Sequence, residues 1–311
     1  MSEIPSRDSY LRLTRKIKDS KLLALPQSAS YILELVKNPE NGPPELAAAI
    51  APDIGLSSQI LRFINSSYFG FSNKVTSIQT ALSLVYGRTL RNFILWNTIF
   101  ALLPDPRCGP FELKKICLDS LQRASFAKVV SNYFSKINSE DIFLNSLFQD
   151  IALPILAQIF PSEYAELLFE KQKTQKPLSV LEFARFGWTH ADAGAYLAEE
   201  WGFDESFCEN VRTHNRINSD INIKKCTPED LQQFLVSLSS LLPSMFDTDW
   251  YNADIFFDVF AQLVVQGIPY PDAVFKETET QLDNMLRFSK FGSVPISLST
   301  YHQKYLQTLE S

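Results

Sequence analysis

The fold of this chain is decided by the stretch Phe143-Leu-Asn-Ser-Leu-Phe-Gln-Asp-Ile-Ala-Leu-Pro-Ile-Leu-Ala-Gln-Ile-Phe160. Apolar residues surround its central polar pair, Gln149-Asp150, on every side of a helical wheel, which predicts a helix buried inside a bundle. Burying an amide and a carboxylate costs free energy unless partners or water satisfy them. The pair therefore either belongs to a site or is the remnant of one.

The rest of the chain has the same helical periodicity. Of the 311 residues, 45% are hydrophobic and 21% are charged, which is ordinary for a folded protein. Apolar residues recur at spacings of three and four, and no run alternates long enough to indicate a half-buried strand. Local start signals agree, since Ser179-x-x-Glu182 fits a capping box at a helix start. The sequence predicts an all-α fold.

Proline and glycine mark the internal boundary, at Pro104-Asp105-Pro106 and Gly109-Pro110. The predicted organisation is a leader helix or loose segment (1–21), a helical domain (22–290) with sub-bundles at about 22–105 and 106–290, and a C-terminal tail (291–311). The tail has no clear period, so His302 is expected to be exposed to solvent. Phe256, Phe257 and Phe260 exceed what one helix face buries and are predicted to form part of a partner-binding surface.

Charge and composition exclude several classes of function. The net charge is −6, with lysine and arginine scattered along the chain, which argues against general nucleic-acid binding. The N-terminus has no signal-peptide core, and the longest apolar run, Phe93 to Leu103, is too short to span a membrane. The four cysteines form no C-x-x-C pair, as expected of reduced thiols. We expect a soluble, cytoplasmic protein that binds neither DNA nor membranes.

Motifs for covalent catalysis are missing from the sequence. It contains no G-x-S-x-G elbow, no cysteine or serine in a recognisable motif beside a histidine, and no glycine-rich phosphate loop. Only three histidines are present, His190, His214 and His302, which is a small supply for a di-metal hydrolase.

Several separated motifs follow one another in the first half of the chain. They are Leu25-Pro26, Glu45-Leu46-Ala47, Pro52-Asp53-Ile54-Gly55-Leu56, Leu61-Arg62-Phe63-Ile64-Asn65-Ser66-Ser67-Tyr68-Phe69-Gly70 and Val75-Thr76-Ser77-Ile78-Gln79-Thr80-Ala81-Leu82. In this order they resemble the N-terminal half of the HDOD domain. That domain is an all-helical relative of the HD-type metal phosphohydrolases and is found in bacterial signalling proteins.

The second half resembles the same family. Phe143 to Leu156 is similar to its F-x-x-x-L-x-H-D-[IL]-[AG] helix, and Phe186 to Gly194 is similar to its F-G-x-x-H-x-x-x-G run, with Trp201 at the expected tryptophan. Val211 to Asn215 resembles the segment that often ends in His-His. The resemblance covers roughly residues 22 to 215 and implies an N-terminal helical sub-bundle packed on a degenerate HD-like bundle.

Departures from the HD pattern bear on function. The His-Asp doublet is Gln149-Asp150 here, and the position of the earlier histidine ligand holds Asp119. A glutamine carbonyl oxygen is a weak substitute for imidazole at a transition-metal site. The resemblance therefore implies a degenerate cleft of Asp119, Gln149, Asp150, His190 and His214, for which we predict no metal, no cofactor and no catalytic residue. The alternative is one weak metal site formed by Asp119, Asp150, His190 and His214.

A second polar cluster is Asn65-Ser66 with Tyr68, a candidate contact for a ligand or partner. The simpler interpretation is a helix C-terminus and turn, in which Asn65 satisfies free backbone groups. For the whole chain, the resemblance and the lost ligands imply a non-enzymatic signalling adaptor that binds another signalling protein, with a cyclic-dinucleotide or two-component pathway as its context. The alternatives are a residual metal-dependent phosphohydrolase acting on nucleotides or cyclic dinucleotides, and a nucleotide sensor that does not hydrolyse.

Overall fold

The structure is a computed structural model and describes residues 4–22, 24–38, 41–66, 69–85, 87–217, 219, 221–247, 249–287, 294 and 296–309. Within these ranges all regular secondary structure is helical and no strand is present. The prediction of an all-α fold is confirmed.

The helices run in chain order as follows: α1 (Arg7–Ser20), α2 (Gln27–Lys37), α3 (Pro43–Ile50), α4 (Ile54–Ile64), α5 (Ile78–Val85), α6 (Arg88–Phe100), α7 (Leu113–Ser131), α8 (Ser139–Phe148), α9 (Ala152–Ile159), α10 (Pro161–Thr174), α11 (Leu178–Phe186), α12 (His190–Glu200), α13 (Glu205–Thr213), α14 (Pro228–Ser240), α15 (Ala253–Val265), α16 (Pro271–Leu286) and α17 (Leu298–Leu309).

The chain forms two compact units. The first consists of Met1–Leu23, Pro104–Thr280 and Val294–Ser311, and the second of Ala24–Leu103 and Gln281–Ser293. In the first unit, the ring of Phe126 on α7 lies 5.6 Å from that of Phe256 and 6.2 Å from that of Phe260. Phe256 and Phe260 are fully buried, and Phe257 is covered by the ring of Tyr305 at 4.8 Å. The prediction that these phenylalanines form a partner-binding surface is therefore wrong, because α17 and the core of the first unit cover them.

The stretch that decides the fold consists of two helices, α8 and α9, joined by a tight turn at residues 149–151. Pro154 has no N–H to donate to the Asp150 carbonyl, and the N–H of Leu153 donates to it instead, at 3.0 Å. The single helix predicted over 143–160 is thus interrupted at its polar pair. By length and composition Ser139–Ile159 would suffice to cross a membrane, but 83% of its apolar window is buried inside the protein, as in a core helix.

Both ends of the first unit are packed helices. In α1, Leu13 and Ile17 are buried, and the Ser9 hydroxyl donates to the Gly187 carbonyl at 3.0 Å. The segment predicted as a tail contains α17, whose His302 is only 6% exposed and has Nδ1 2.7 Å from Asp272 Oδ1. The expectation that His302 is exposed is wrong.

In the second unit, Asn65 closes the loop between α4 and α5. Its amide nitrogen donates to the carbonyls of Leu61 and Val75 at 2.7 and 2.8 Å, and its Oδ1 accepts the Val75 N–H at 2.7 Å. These three bonds occupy the amide with backbone groups, as the simpler interpretation expects. Ser66 is buried beside it, and Tyr68 lies outside the described residues.

Candidate functional site

A cavity of about 280 Å³ lies within the first unit. Four of the residues predicted to share a cleft line it, namely Asp119, Asp150, His190 and His214. They come from α7, from the turn between α8 and α9, from the first position of α12 and from the residue after α13.

Asp150, His190 and His214 converge in the wall of this cavity. The Nε2 atoms of the two histidines lie 3.2 Å apart, and Asp150 Oδ1 lies 3.3 Å from that of His190 and 3.5 Å from that of His214. All three side chains are at most 7% exposed. We refer to these three residues as the triad.

Each histidine of the triad is oriented through its other ring nitrogen. Nδ1 of His190 lies 2.6 Å from Glu182 Oε2, and Nδ1 of His214 lies 2.7 Å from the Val211 carbonyl oxygen. A carboxylate and a carbonyl only accept hydrogen bonds, so both Nδ1 atoms carry a hydrogen. Both Nε2 atoms therefore face Asp150. Without a proton or another cation between them, these two nitrogens and Asp150 Oδ1 would be three hydrogen-bond acceptors in mutual contact.

Glu182 on α11 is fully buried and fixes the position of His190. It accepts hydrogen bonds from the Tyr164 hydroxyl at 2.7 Å and from the His190 backbone N–H at 2.8 Å, in addition to its ring contact. The predicted capping box at Ser179 is wrong, since Pro177 is the N-cap and makes no side-chain cap bond. Sequence reasoning missed the role of Glu182 because its partners lie eight or more residues away.

A capping box does start α12. The Thr189 side chain accepts from the Asp192 N–H, and the Asp192 carboxylate accepts from the Thr189 N–H at 2.8 Å. This box fixes the helix start one residue before His190, so that His190 occupies the first helical position. The neighbouring turn of α12 contains Gly194, where an added Cβ would lie 2.9 Å from a methyl group of Val211, just before His214. The close packing of α12 on α13 therefore brings the two histidines together.

Arg123 forms an ion pair with the other oxygen of Asp150, Oδ2. It lies one helical turn after Asp119 on α7, lines the same cavity, and has a side chain that is 12% exposed. Spacing along the chain gave no signal for this contact, because Arg123 is on α7 and Asp150 lies 27 residues later, in the turn between α8 and α9.

Asp119 lies in the cavity wall but outside the triad. Its Oδ2 accepts from the Ser244 hydroxyl at 2.6 Å, and its Oδ1 accepts from the Met245 N–H at 2.8 Å. The carboxylate thus holds the segment that follows α14 against α7. Lys171 and Asp247, which also line the cavity, form an ion pair with each other.

Charges in this cavity shift several pKa values. Burial would lower the pKa of His190, but the charge of Glu182 and hydrogen bonds to Asp150 and Glu182 outweigh it and raise the pKa to about 10. Burial would raise the pKa of Asp150, but Arg123 and the two histidines hold it well below its usual range. For Asp119, burial prevails over the opposing charge of Arg123 and raises the pKa to about 6. At neutral pH the cavity thus contains an imidazolium, a guanidinium and ionised carboxylates.

Comparison with known proteins identifies the family. A sequence model of the HDOD domain matches residues 22–217, which is well over half of the chain. The chain belongs to the HDOD domain family. Its match to an uncharacterized protein of Treponema pallidum (strain Nichols) is 24% identical over 200 residues, and covers 62% of this chain but only 38% of that protein.

Solved structures share the HDOD fold. An HDOD domain protein of unknown function from Geobacter sulfurreducens is 18% identical, with a TM-score of 0.61 over 98% of this chain and 96% of its own. A protein of Shewanella amazonensis SB2B, provisionally described as a phosphohydrolase, is 17% identical, with a TM-score of 0.61 over 95% and 93% of the two chains. A protein of Marinobacter aquaeolei VT8, provisionally described as a signal transduction protein, is 18% identical, with a TM-score of 0.61 over 90% and 65%.

In this HDOD chain, Gln149 and Asp150 have different surroundings. Asp150 lines the cavity, whereas Gln149 is fully buried and does not line it. Within the part of the chain that the structure describes, neither polar atom of the Gln149 side chain has a hydrogen-bond partner. The glutamine of the doublet therefore contributes no donor to the cavity.

The triad of the HDOD chain fits part of what a metal ion requires. Asp150, His190 and His214 each offer one ligand atom, and these three atoms lie within 4.8 Å of one another. Two imidazoles with one carboxylate suit a divalent transition metal, and the contacts of both Nδ1 atoms are those that orient metal-ligating histidines. The fit is incomplete, because Asp150 is also ion-paired with Arg123.

Proposed function

We propose that this HDOD protein is a regulatory module of bacterial signal transduction that acts in the cytoplasm by binding another signalling protein, without hydrolysing phosphate esters. The pathway context that we propose is a cyclic-dinucleotide or two-component system. Membership of the HDOD family supports a signalling role, and the cavity supports the absence of catalysis.

The position of Gln149 is the observation that carries the non-catalytic part of the proposal. Metal-assisted hydrolysis needs several strong donors on the metal and an open position for water. Gln149 replaces the histidine of the doublet and does not line the cavity. Both oxygens of Asp119, at the other substituted position, accept hydrogen bonds from Ser244 and Met245. Among the described residues that line the cavity, Asp150, His190 and His214 are the donors that converge, and no further imidazole is present.

Phosphoesterase assays test this proposal. The wild type and Asp150→Ala are incubated with bis(p-nitrophenyl) phosphate, p-nitrophenyl phosphate and cyclic diguanylate, with Mn²⁺, Zn²⁺ or no added metal. We expect the wild type to release no more product than Asp150→Ala under any of these conditions. Metal-dependent turnover that disappears in Asp150→Ala would overturn the proposal.

A metal-dependent phosphohydrolase is the second candidate function, and the geometry of the triad favours it. Asp150, His190 and His214 would hold the ion, with Glu182 and the Val211 carbonyl fixing the two rings. A bound divalent cation supplies an activated water and polarises a phosphoryl oxygen. This candidate predicts about one metal ion per purified chain, lost in both Asp150→Ala and His190→Ala, whereas the proposed function predicts no stoichiometric metal.

A further inference from the structure

Arg123 places a permanent positive charge on the carboxylate that belongs to the triad. Its Nη1 pairs with Asp150 Oδ2, while Asp150 Oδ1 faces the two Nε2 atoms of the histidines. Arg123 also lies close enough to Asp119 and Asp247 for both carboxylates to favour its charged form. A guanidinium stays protonated under all ordinary conditions, so this charge does not depend on pH.

Around the triad, negative side chains outnumber permanent positive ones. Asp119, Asp150 and Glu182 are three buried carboxylates, and Arg123 is the one permanent cation that contacts any of them among the described residues. The donors of the triad are thus arranged for a cation in surroundings of negative charge. A divalent ion on Asp150 Oδ1 would nevertheless lie within a few ångströms of the guanidinium on Oδ2, in a site where charges are weakly screened.

We propose that the permanent charge of Arg123, beside the displaceable proton on His190 Nε2, excludes divalent transition-metal ions from a donor set whose geometry otherwise suits them. The inference rests on the proposed function, because it explains how an HDOD chain can retain two imidazoles and a carboxylate in metal-binding geometry without acting as a metalloenzyme. It also assigns the ligand class of the site: replacing Arg123 by a neutral residue creates a site for one Zn²⁺, Co²⁺ or Mn²⁺ at Asp150, His190 and His214.

Three variants isolate the charge of Arg123 from its size and from the net charge of the protein. Arg123→Gln removes the charge, and Arg123→Lys retains it. Arg185→Gln is the matched control, because Arg185 is half-exposed and pairs with Glu166 at 2.8 Å on the surface. Each purified protein is stripped of metal with a chelator, and its affinity for Zn²⁺ is measured by competition with a chromophoric chelator. Visible absorption of added Co²⁺ reports whether imidazoles are bound.

We expect Arg123→Gln to bind one Zn²⁺ at least about a hundredfold more tightly than the wild type, because repulsion between a divalent ion and a guanidinium in a buried site is removed. Arg123→Lys and Arg185→Gln should resemble the wild type. A second change, His190→Ala in the Arg123→Gln background, should abolish the gain and the Co²⁺ spectrum. Equal Zn²⁺ affinity of the folded Arg123→Gln variant and the wild type would overturn the proposal.

If Arg123→Gln does not fold, a second variant keeps the proposal testable. Arg123→Gln combined with Asp119→Asn removes one positive and one negative charge, and the new amide oxygen can still accept from the Met245 N–H. Measured against Asp119→Asn alone, this variant should show the same ratio of Zn²⁺ affinities, and equal affinities would refute the proposal. The proposed function and this inference fail in different assays. Phosphoester hydrolysis by the wild type would refute the proposed function. The inference is tested only by the ratio of metal affinities between variant and reference protein.

Discussion

Glu182→Gln tests the electrostatics of the candidate site most directly. The substitution preserves the size of the side chain and one acceptor oxygen, but removes the negative charge that lies 2.6 Å from His190 Nδ1. Two unit charges about 4 Å apart interact by about 4 kcal/mol at an effective dielectric constant of about 20. That energy corresponds to about three pKa units. We therefore expect the pKa of His190 to fall from about 10 to roughly 7.

Nuclear magnetic resonance can follow this change because the chain contains only three histidines. Long-range ¹H–¹⁵N spectra of protein labelled at the imidazoles give one set of signals per ring, and His190→Asn assigns the set that belongs to His190. Glu166→Gln is the control, since Glu166 has a side chain that is 65% exposed. A His190 that titrates near its ordinary value in the wild type, or that does not respond to Glu182→Gln, would refute the reasoning.

The same shift predicts a dependence of stability on pH. Because the pKa of His190 is raised in the folded state, its stabilisation is complete below about pH 6.5 and is lost as the pH rises through about 10. Between pH 6.5 and 9.5 the wild type should lose about 3 kcal/mol more unfolding free energy than Glu182→Gln. Urea unfolding at the two pH values measures the difference, and equal losses would contradict the prediction.

Three further predictions concern stability, measured by urea unfolding. Burial raises the pKa of Asp119 to about 6, so the stabilisation that comes from its proton is present at low pH and is lost as the pH rises through about 6. From pH 4 to 7 the unfolding free energy of the wild type should fall by roughly 2 kcal/mol relative to that of Asp119→Asn, and parallel curves would refute this. Phe256→Ala removes a fully buried ring and should cost about 3–5 kcal/mol. Val265→Ala, at a position that is 81% exposed, should change stability by less than about 0.5 kcal/mol, and a similar cost for both would contradict the described core. Thr227→Ala removes one side of the capping box with Asp230 on α14 and should cost about 1 kcal/mol; no cost would mean that the box does not form in solution.

Motif order and helical periodicity were sufficient for the fold class and for the family. The positions of Asp150, His190 and His214 within recognisable motifs were also sufficient to assign them to one cleft, and all three line one cavity. Each of these predictions uses either local residue spacing or a family resemblance. The resemblance implies a known fold, and therefore which motifs lie close together.

Arg123 and Glu182 show what the sequence could not reveal. Both are charged residues whose main partners come from other elements of the fold. Arg123 pairs with Asp150 in the turn between α8 and α9, and Glu182 pairs with His190 on α12. Pairing of this kind depends on which helix faces meet, and the residue spacing within a helix does not encode it. The spacing of four residues places Arg123 on the same helix face as Asp119 and so marks it as a candidate cleft residue, but it does not identify Asp150 as the partner.

The C-terminal segment was misjudged for a different reason. In α17 the buried residues Leu298, Tyr301 and His302 include two with polar atoms, so a hydrophobic period is hard to see. Their polar atoms are satisfied by the Asp247 carbonyl and by the Asp272 carboxylate. Aromatic and imidazole rings can line a core when such partners are present.

The packing of α1 has a consequence for synthesis on the ribosome. This helix buries Leu13 and Ile17, and Ser9 donates to Gly187, which lies 178 residues further along the chain. At translation rates of 5–20 residues per second, about 10 to 35 s pass between the synthesis of the two partners. During that interval the apolar face of α1 has emerged before the helices that cover it, α9 and α12, exist. Helix α1 is therefore synthesised early but packs late. Until it packs, Leu13 and Ile17 are exposed apolar side chains to which a chaperone that binds nascent chains can attach.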